Sequence, residues 1–130
     1  MFTLIKGAEV YRPDYSGVMD ILISFDRIAW LGKDSRHLED ALGPGLSVVD
    51  AEGKLAVPGF IDQHVHILGG GGEQGPQSSI SPITAEELVS AGITTVVGLL
   101  GADFINKSME GLLMKAYSLE ADGLTSYIYA

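Results

Sequence analysis

The rhythm of hydrophobic and polar positions changes once along the chain, near Pro58-Gly59. Before that point, short apolar runs alternate with turn residues, which is the pattern of short strands. Phe2-Thr3-Leu4-Ile5-Lys6 and Ala8-Glu9-Val10-Tyr11 flank Gly7, and Pro13-Asp14 with Ser16-Gly17 marks a turn. Strands are predicted over 20–24 and 27–31, around Phe25-Asp26, so the stretch reads as a small antiparallel β unit. A short helix is expected over 34–42, capped by Asp34 or Ser35 and stopped before Gly43-Pro44-Gly45. Strands over 46–50 and 54–57 follow, around the turn residues 50–53.

After Pro58-Gly59 the apolar runs lengthen. Residues 60–68 predict a largely apolar strand, followed by Gly69-Gly70-Gly71-Gly72 and a polar segment through Pro82. A helix is expected over 84–91, with Thr84 as N-cap, Glu87 at the capping-box spacing and Gly92 as its stop. Residues 94–100 are almost wholly apolar and rich in β-branched side chains, as in a strand buried on both faces of a parallel sheet. A longer helix over 106–121, stopped by Asp122-Gly123, and a strand over 124–129 complete the series. Strand, helix, strand, helix, strand predicts a parallel α/β sheet with right-handed crossovers. Two parts are therefore expected, a β-rich module over 1–57 and a βαβαβ unit over 58–130.

Composition narrows the function. The 130 residues are 46% hydrophobic and 19% charged, with no cysteine, which excludes a disordered tail, a disulfide scaffold and a thiolate metal site. With 17 acidic and 8 basic residues the formal charge is −9, so neither nucleic acid nor a membrane surface is an expected partner. The sequence holds neither a run of about 18 apolar residues nor an N-terminal cationic segment leading into an apolar core, so the expected location is the cytoplasm. Glycine is the one excess, 17 residues in all, and it asks where backbone must turn tightly or come close to another group.

The candidate chemistry sits at His64 and His66. On a strand, residues i and i+2 share a face, so both imidazoles can turn toward one point, and neutral imidazole is the commonest protein ligand for a divalent metal. Two ligands are too few for a catalytic zinc, which usually has three. Asp62 follows the same alternation and is expected to lie behind the histidines as an acceptor or to join them as a ligand. Alone, such a pair is more often two hydrogen-bonded polar residues at a strand end. Its position at the strand-to-loop edge of a parallel sheet, where α/β folds build their sites, shifts the reading to metal ligands.

Val57-Pro58-Gly59-Phe60-Ile61-Asp62-Gln63-His64-Val65-His66 resembles the first barrel strand of the amidohydrolase superfamily. The continuation Gly69-Gly70-Gly71-Gly72-Glu73-Gln74-Gly75-Pro76 and the later Gly92-Ile93-Thr94-Thr95-Val96-Val97-Gly98-Leu99-Leu100-Gly101 resemble the isoaspartyl (β-aspartyl) dipeptidases within it. The resemblance runs along the whole chain. It implies a metal-dependent (β/α)8 barrel preceded by a small β module, a centre of two zinc ions, and hydrolysis of the isopeptide bond of small β-aspartyl dipeptides. On that resemblance His64 and His66 bind the more buried metal, and Gly71, Gly72 and Glu73 form the substrate loop, the Glu73 carboxylate pairing with the substrate's α-amino group. Without the resemblance Glu73 reads as a solvated loop carboxylate. Where the family commonly has a substrate-contacting threonine after Gly101, this chain has Ala102, whose methyl group cannot donate a hydrogen bond.

The family's bridging lysine, two further histidines and catalytic aspartate belong to later barrel strands, and nothing after His66 matches them. A complete barrel takes about 250 residues. The expectation is an incomplete barrel with three strands, the N-terminal part of an enzyme, carrying no catalytic residue and inactive alone. The resemblance also implies a homo-oligomer at full length. Two alternatives stand beside this: another amidohydrolase acting on cyclic amides, such as a dihydroorotase or hydantoinase relative, and a standalone binding protein that does no catalysis. His37 reads as a surface residue, Tyr117, Tyr127 and Tyr129 as core and interface filling, and Lys107 and Lys115 as solvated helix residues.

Overall fold

A computed structural model describes residues 1–101 and 106–129 and divides the chain into two compact units, Met1–Pro58 and Gly59–Ala130. The first unit is one sheet of five strands. Strands β1 (Phe2–Tyr11), β2 (Tyr15–Ser24) and β3 (Arg27–Gly32) run antiparallel in succession. Gly7 does not divide two strands, as the sequence implies, but sits in an irregularity of a single one, where pairing with β2 slips between Ile5 and Ala8. Its N–H turns to the Asp20 carboxylate at 2.9 Å, so the bulge costs no hydrogen bond.

The expected antiparallel unit is present as β1, β2 and β3, and two further strands make the sheet mixed. Strands β4 (Leu46–Asp50) and β5 (Leu55–Ala56) both pair in parallel with β1, one beyond the other along the same edge. The turn between them does not reverse the chain. Ala51 N–H donates to Lys6 C=O at 2.8 Å and Glu9 N–H to Lys54 C=O at 2.9 Å, which carries the pairing across the gap. Of the two cap residues expected for the first helix, α1 (Arg36–Leu42), Asp34 accepts the N–H of Arg36 at 3.2 Å, while the side chain of Ser35, at the N-cap position, caps nothing. Buried Ser35 instead donates its hydroxyl to Asp20 at 2.7 Å, a better use of a hydroxyl taken out of water. Ala8, Val10, Ile21 and Ala51 form the core of this unit.

The second unit is a three-stranded parallel sheet with helices between its strands. Strands β6 (Phe60–Val65), β7 (Ile93–Gly98) and β8 (Thr125–Ile128) lie in that order, connected through α2 (Ala85–Ser90) and α3 (Met109–Ala121). Val65, Ile67, Leu88, Val96, Leu112, Ala116, Leu119 and Leu124 close the core between sheet and helices. The capping box is formed in full: Thr84 accepts from Glu87 N–H at 3.2 Å and Glu87 accepts from Thr84 N–H at 2.8 Å. Helix α3 begins at Met109, three residues later than expected, because the Ser108 hydroxyl caps it by accepting from Gly111 N–H at 3.1 Å.

Burial is one-sided. Strand β7 was expected to be covered on both faces, yet only Val96 and Gly98 are buried, on the helix side. Ile61, Thr95, Val97 and Tyr127 share the other face through their pairing, and Ile61 and Tyr127 are exposed there. Tyr117, Tyr127 and Tyr129 are likewise exposed in this chain rather than core residues, Tyr127 because it alternates with buried Ser126 and Tyr117 because it lies off the buried stripe of Leu112, Ala116 and Leu119. The architecture is mixed α/β, a β sheet followed by a parallel βαβαβ layer.

Candidate metal centre

Strand β6 ends at Val65, short of the expected Leu68, so His64 is its penultimate residue and His66 lies just beyond it. Val65 pairs with Gly98, the last residue of β7, so β6 ends where its partner does. Pairing with β7 is irregular between Asp62 and Val65, and Asp62 accepts the N–H of His64 at 3.0 Å within its own strand. That bond engages one oxygen of the Asp62 carboxylate with the backbone of the histidine segment. The two imidazoles nonetheless meet, ring centroids 5.4 Å apart and edge to face at 83°.

The surroundings of the two rings differ. His64 is exposed, while His66 is half-buried and leans against backbone on two sides. A Cβ built on Gly101, whose φ is +78°, would fall 2.6 Å from His66 Nδ1, and one on Gly70 would fall 3.7 Å from His66 Cβ. Only a residue without a side chain admits the ring at position 101. His66 Nδ1 is buried with no hydrogen-bond partner among the described residues. An imidazole that binds a metal through one nitrogen ordinarily engages an acceptor through the other, so a close ring pair with an unpartnered buried nitrogen fits two positions of a metal's coordination shell. Among the described residues no group of three or more His, Cys, Asp or Glu gathers to complete it.

A hollow of about 500 Å³ opens beside the pair, lined in part by His64, His66, Gly70, Ile80, Ile83 and Glu87. Glu87 holds its charge readily: the backbone N–H and hydroxyl of Thr84 keep its carboxyl below the ordinary value. Gly71, Gly72 and Glu73 are not among the described lining residues of this hollow. They continue the loop from Gly70, Gly71 and Gly72 half-buried and Glu73 exposed. Gly69 N–H donates to His66 C=O at 2.7 Å and Ile80 N–H to Gly70 C=O at 2.8 Å, so the glycine run is folded back on the segment that follows it.

Two residues that sequence reasoning missed hold this loop. Lys107, expected to be a solvated helix residue, precedes α3 and donates Nζ to the Gly69 carbonyl at 2.6 Å. Ser78 accepts from Gly72 N–H at 3.1 Å and Gln74 N–H at 3.3 Å and donates to Gly75 C=O at 2.8 Å. Lys107 carries no sequence signal for this contact; for Ser78 the only signal is a hydroxyl shortly after Gly75-Pro76. His37 is exposed as expected, its ring edge-on to Trp30 with centroids 5.5 Å apart. Ala102 lies outside the described residues.

No family model matches the chain. The dihydroorotase of Lactiplantibacillus plantarum is 35% identical over 105 residues, which is 79% of this chain and 23% of that protein. The β-aspartyl dipeptidase of the thermophilic keratin-degrading Fervidobacterium islandicum AW-1 is 40% identical in sequence, and its crystal structure superposes on 99% of this chain with a TM-score of 0.85. Its structure in complex with β-Asp-Leu dipeptide superposes with a TM-score of 0.84 at the same identity. This chain spans 34% and 33% of the two crystallised chains. The histidine pair at the edge of a parallel strand, the glycine loop that follows it and these similarities along nearly the whole chain establish that it belongs to the amidohydrolase superfamily, with a β-aspartyl dipeptidase among its similar structures.

Proposed function

We propose that this chain forms the opening part of the active site of a zinc-dependent β-aspartyl dipeptidase, the first three strands of a (β/α)8 barrel and the β module that precedes them. The observation that carries the reading is the 40% identity and TM-score of 0.84 to a dipeptidase crystallised with β-Asp-Leu, over 99% of this chain. His64 and His66 would hold zinc, together with ligands from strands that the described residues do not include. A zinc held there supplies Lewis acidity for amide hydrolysis.

The chain's own residues would divide the remaining work. The His66 ring is fixed against Gly101 and Gly70, which sets its direction before any ligand arrives. Gly71 and Gly72 let the loop backbone come close to a dipeptide, and Glu73 presents a carboxylate to its α-amino group. In the complete protein two zinc ions and a homo-oligomer are part of the same reading.

A second reading is hydrolysis of a cyclic amide, favoured by the 35% identity to a dihydroorotase over 79% of the chain. A chimera decides between them. This chain is exchanged for the matching third of the Fervidobacterium dipeptidase, and the product is assayed with zinc on β-Asp-Leu and on dihydroorotate. The expected outcome is hydrolysis of β-Asp-Leu that falls by at least about a thousandfold in His64→Ala and His66→Ala. Activity confined to dihydroorotate would favour the cyclic-amide reading, and full activity in both histidine variants would remove the metal role.

A further inference from the structure

We propose that Ser78 is the positioning residue of the substrate loop, the group that holds Glu73 in place; this rests on the reading of Glu73 as the amino-binding carboxylate. A serine hydroxyl offers one proton and two lone pairs. All three are used here, and all three go to the residues around Glu73. Gly72 N–H and Gln74 N–H, on either side of Glu73, donate to Ser78 Oγ at 3.1 and 3.3 Å, and Oγ donates to Gly75 C=O at 2.8 Å. One oxygen thus gathers the backbone before and after the carboxylate.

The rest of the loop closes around that oxygen. Gly75 N–H donates to Gly72 C=O at 3.1 Å, Ser78 N–H to Gly75 C=O at 3.0 Å, and the Gln77 amide to Gln74 C=O at 2.7 Å. Gly71, with φ of +71°, packs its Cα on the carbonyl of Ser78, where any Cβ would collide with that oxygen. Glu73 itself is exposed and has no hydrogen bond of its own among those described. Its position is therefore set through its neighbours' N–H groups and not through its own side chain. Removing the Ser78 hydroxyl leaves two N–H groups without their acceptor and frees the tip that carries the carboxylate.

The test is residue-resolved amide hydrogen exchange of the 130-residue chain in the native form, Ser78→Ala and Ser78→Thr. Ser78→Ala is expected to speed exchange at Gly72 and Gln74 by about tenfold or more. Ser78→Thr, which keeps the hydroxyl, is expected to restore native rates, and β7 and α3 are expected to be unaffected in both. Unchanged rates at Gly72 and Gln74 in Ser78→Ala overturn the proposal, and so does acceleration spread through β7 and α3, since the hydroxyl would then support the whole unit and not the loop tip. Titration with β-Asp-Leu separates positioning from mere support. The dipeptide is expected to shift the Glu73 amide resonance in the native chain and in Ser78→Thr, and to do so only weakly in Ser78→Ala. Equal shifts in all three contradict positioning by Ser78. No shift in the native chain refutes instead the amino-binding role of Glu73, and the exchange rates then judge the hold of Ser78 on the loop.

Discussion

A methyl group at position 101 would have to share its space with His66. At Gly101 the backbone is left-handed, φ +78°, and an added Cβ would fall 2.6 Å from Nδ1 of the ring. Gly101→Ala therefore combines backbone strain with a direct clash and is expected to cost about 1–3 kcal/mol in thermal or urea denaturation while moving the His66 ring resonances. Gly123→Ala is the control, since φ there is +96° but nothing lies within 4 Å, so only the strain remains and the His66 resonances stay put. An equal loss in both variants with an unmoved His66 would show that the ring is not held by position 101. The histidine pair was legible from its i, i+2 spacing. What holds His66 was not, because Gly101 meets it only when β6 and β7 pair, and a glycine carries no side chain whose pattern would announce the contact.

At the scale of elements, the helices were read best where a side chain meets its own backbone. Thr84 and Glu87 are three residues apart in sequence and close the same reciprocal bonds in space, so the start of α2 needed no tertiary information. Strand ends were read poorly for the opposite reason. Ile67 and Leu68 continue the apolar run past Val65, but β6 stops at Val65, opposite Gly98 where β7 ends, and that is a property of β7 as much as of β6. The mixed sheet of the first unit escaped for the same cause, since the direction in which β4 and β5 lie along β1 is decided by pairing between distant segments.

The capping box makes α2 sensitive to acid. Hydrogen bonds from the Thr84 N–H and hydroxyl lower the folded-state pKa of Glu87. A lowered folded value means that the stabilisation is complete above the unfolded value of about 4.3 and is lost as pH falls through the folded one. Urea denaturation at about pH 6 and about pH 3 should show a smaller pH dependence in Glu87→Gln than in the native chain, with the variants converging at the acidic end. Asp34 and Glu110 are also held low by their partners and contribute to acid sensitivity in both proteins, so the difference between the two isolates Glu87. Identical slopes would mean that the box is not formed in solution.

For the molecule as a whole, the order of strand and helix in the second unit was legible because period and length suffice to separate long apolar strands from capped helices. One-sided burial was not. Residues 94–100 have the composition of a strand covered on both faces, yet Ile61 and Tyr127 on the face away from the helices are exposed. Composition records what a strand is built to be covered by, and the described residues supply one layer of helices only. The histidine pair follows the same logic, two imidazoles brought together without a third ligand among the described residues. The central claim, that His64 and His66 are part of a metal centre, is tested most directly by titrating the purified chain with zinc while following the imidazole resonances of its three histidines. The expected result is that His64 and His66 shift together, His37 does not, and the zinc is lost on gel filtration, as befits two ligands. Resonances of His64 and His66 that stay unmoved, while zinc binds elsewhere or not at all, would contradict the claim.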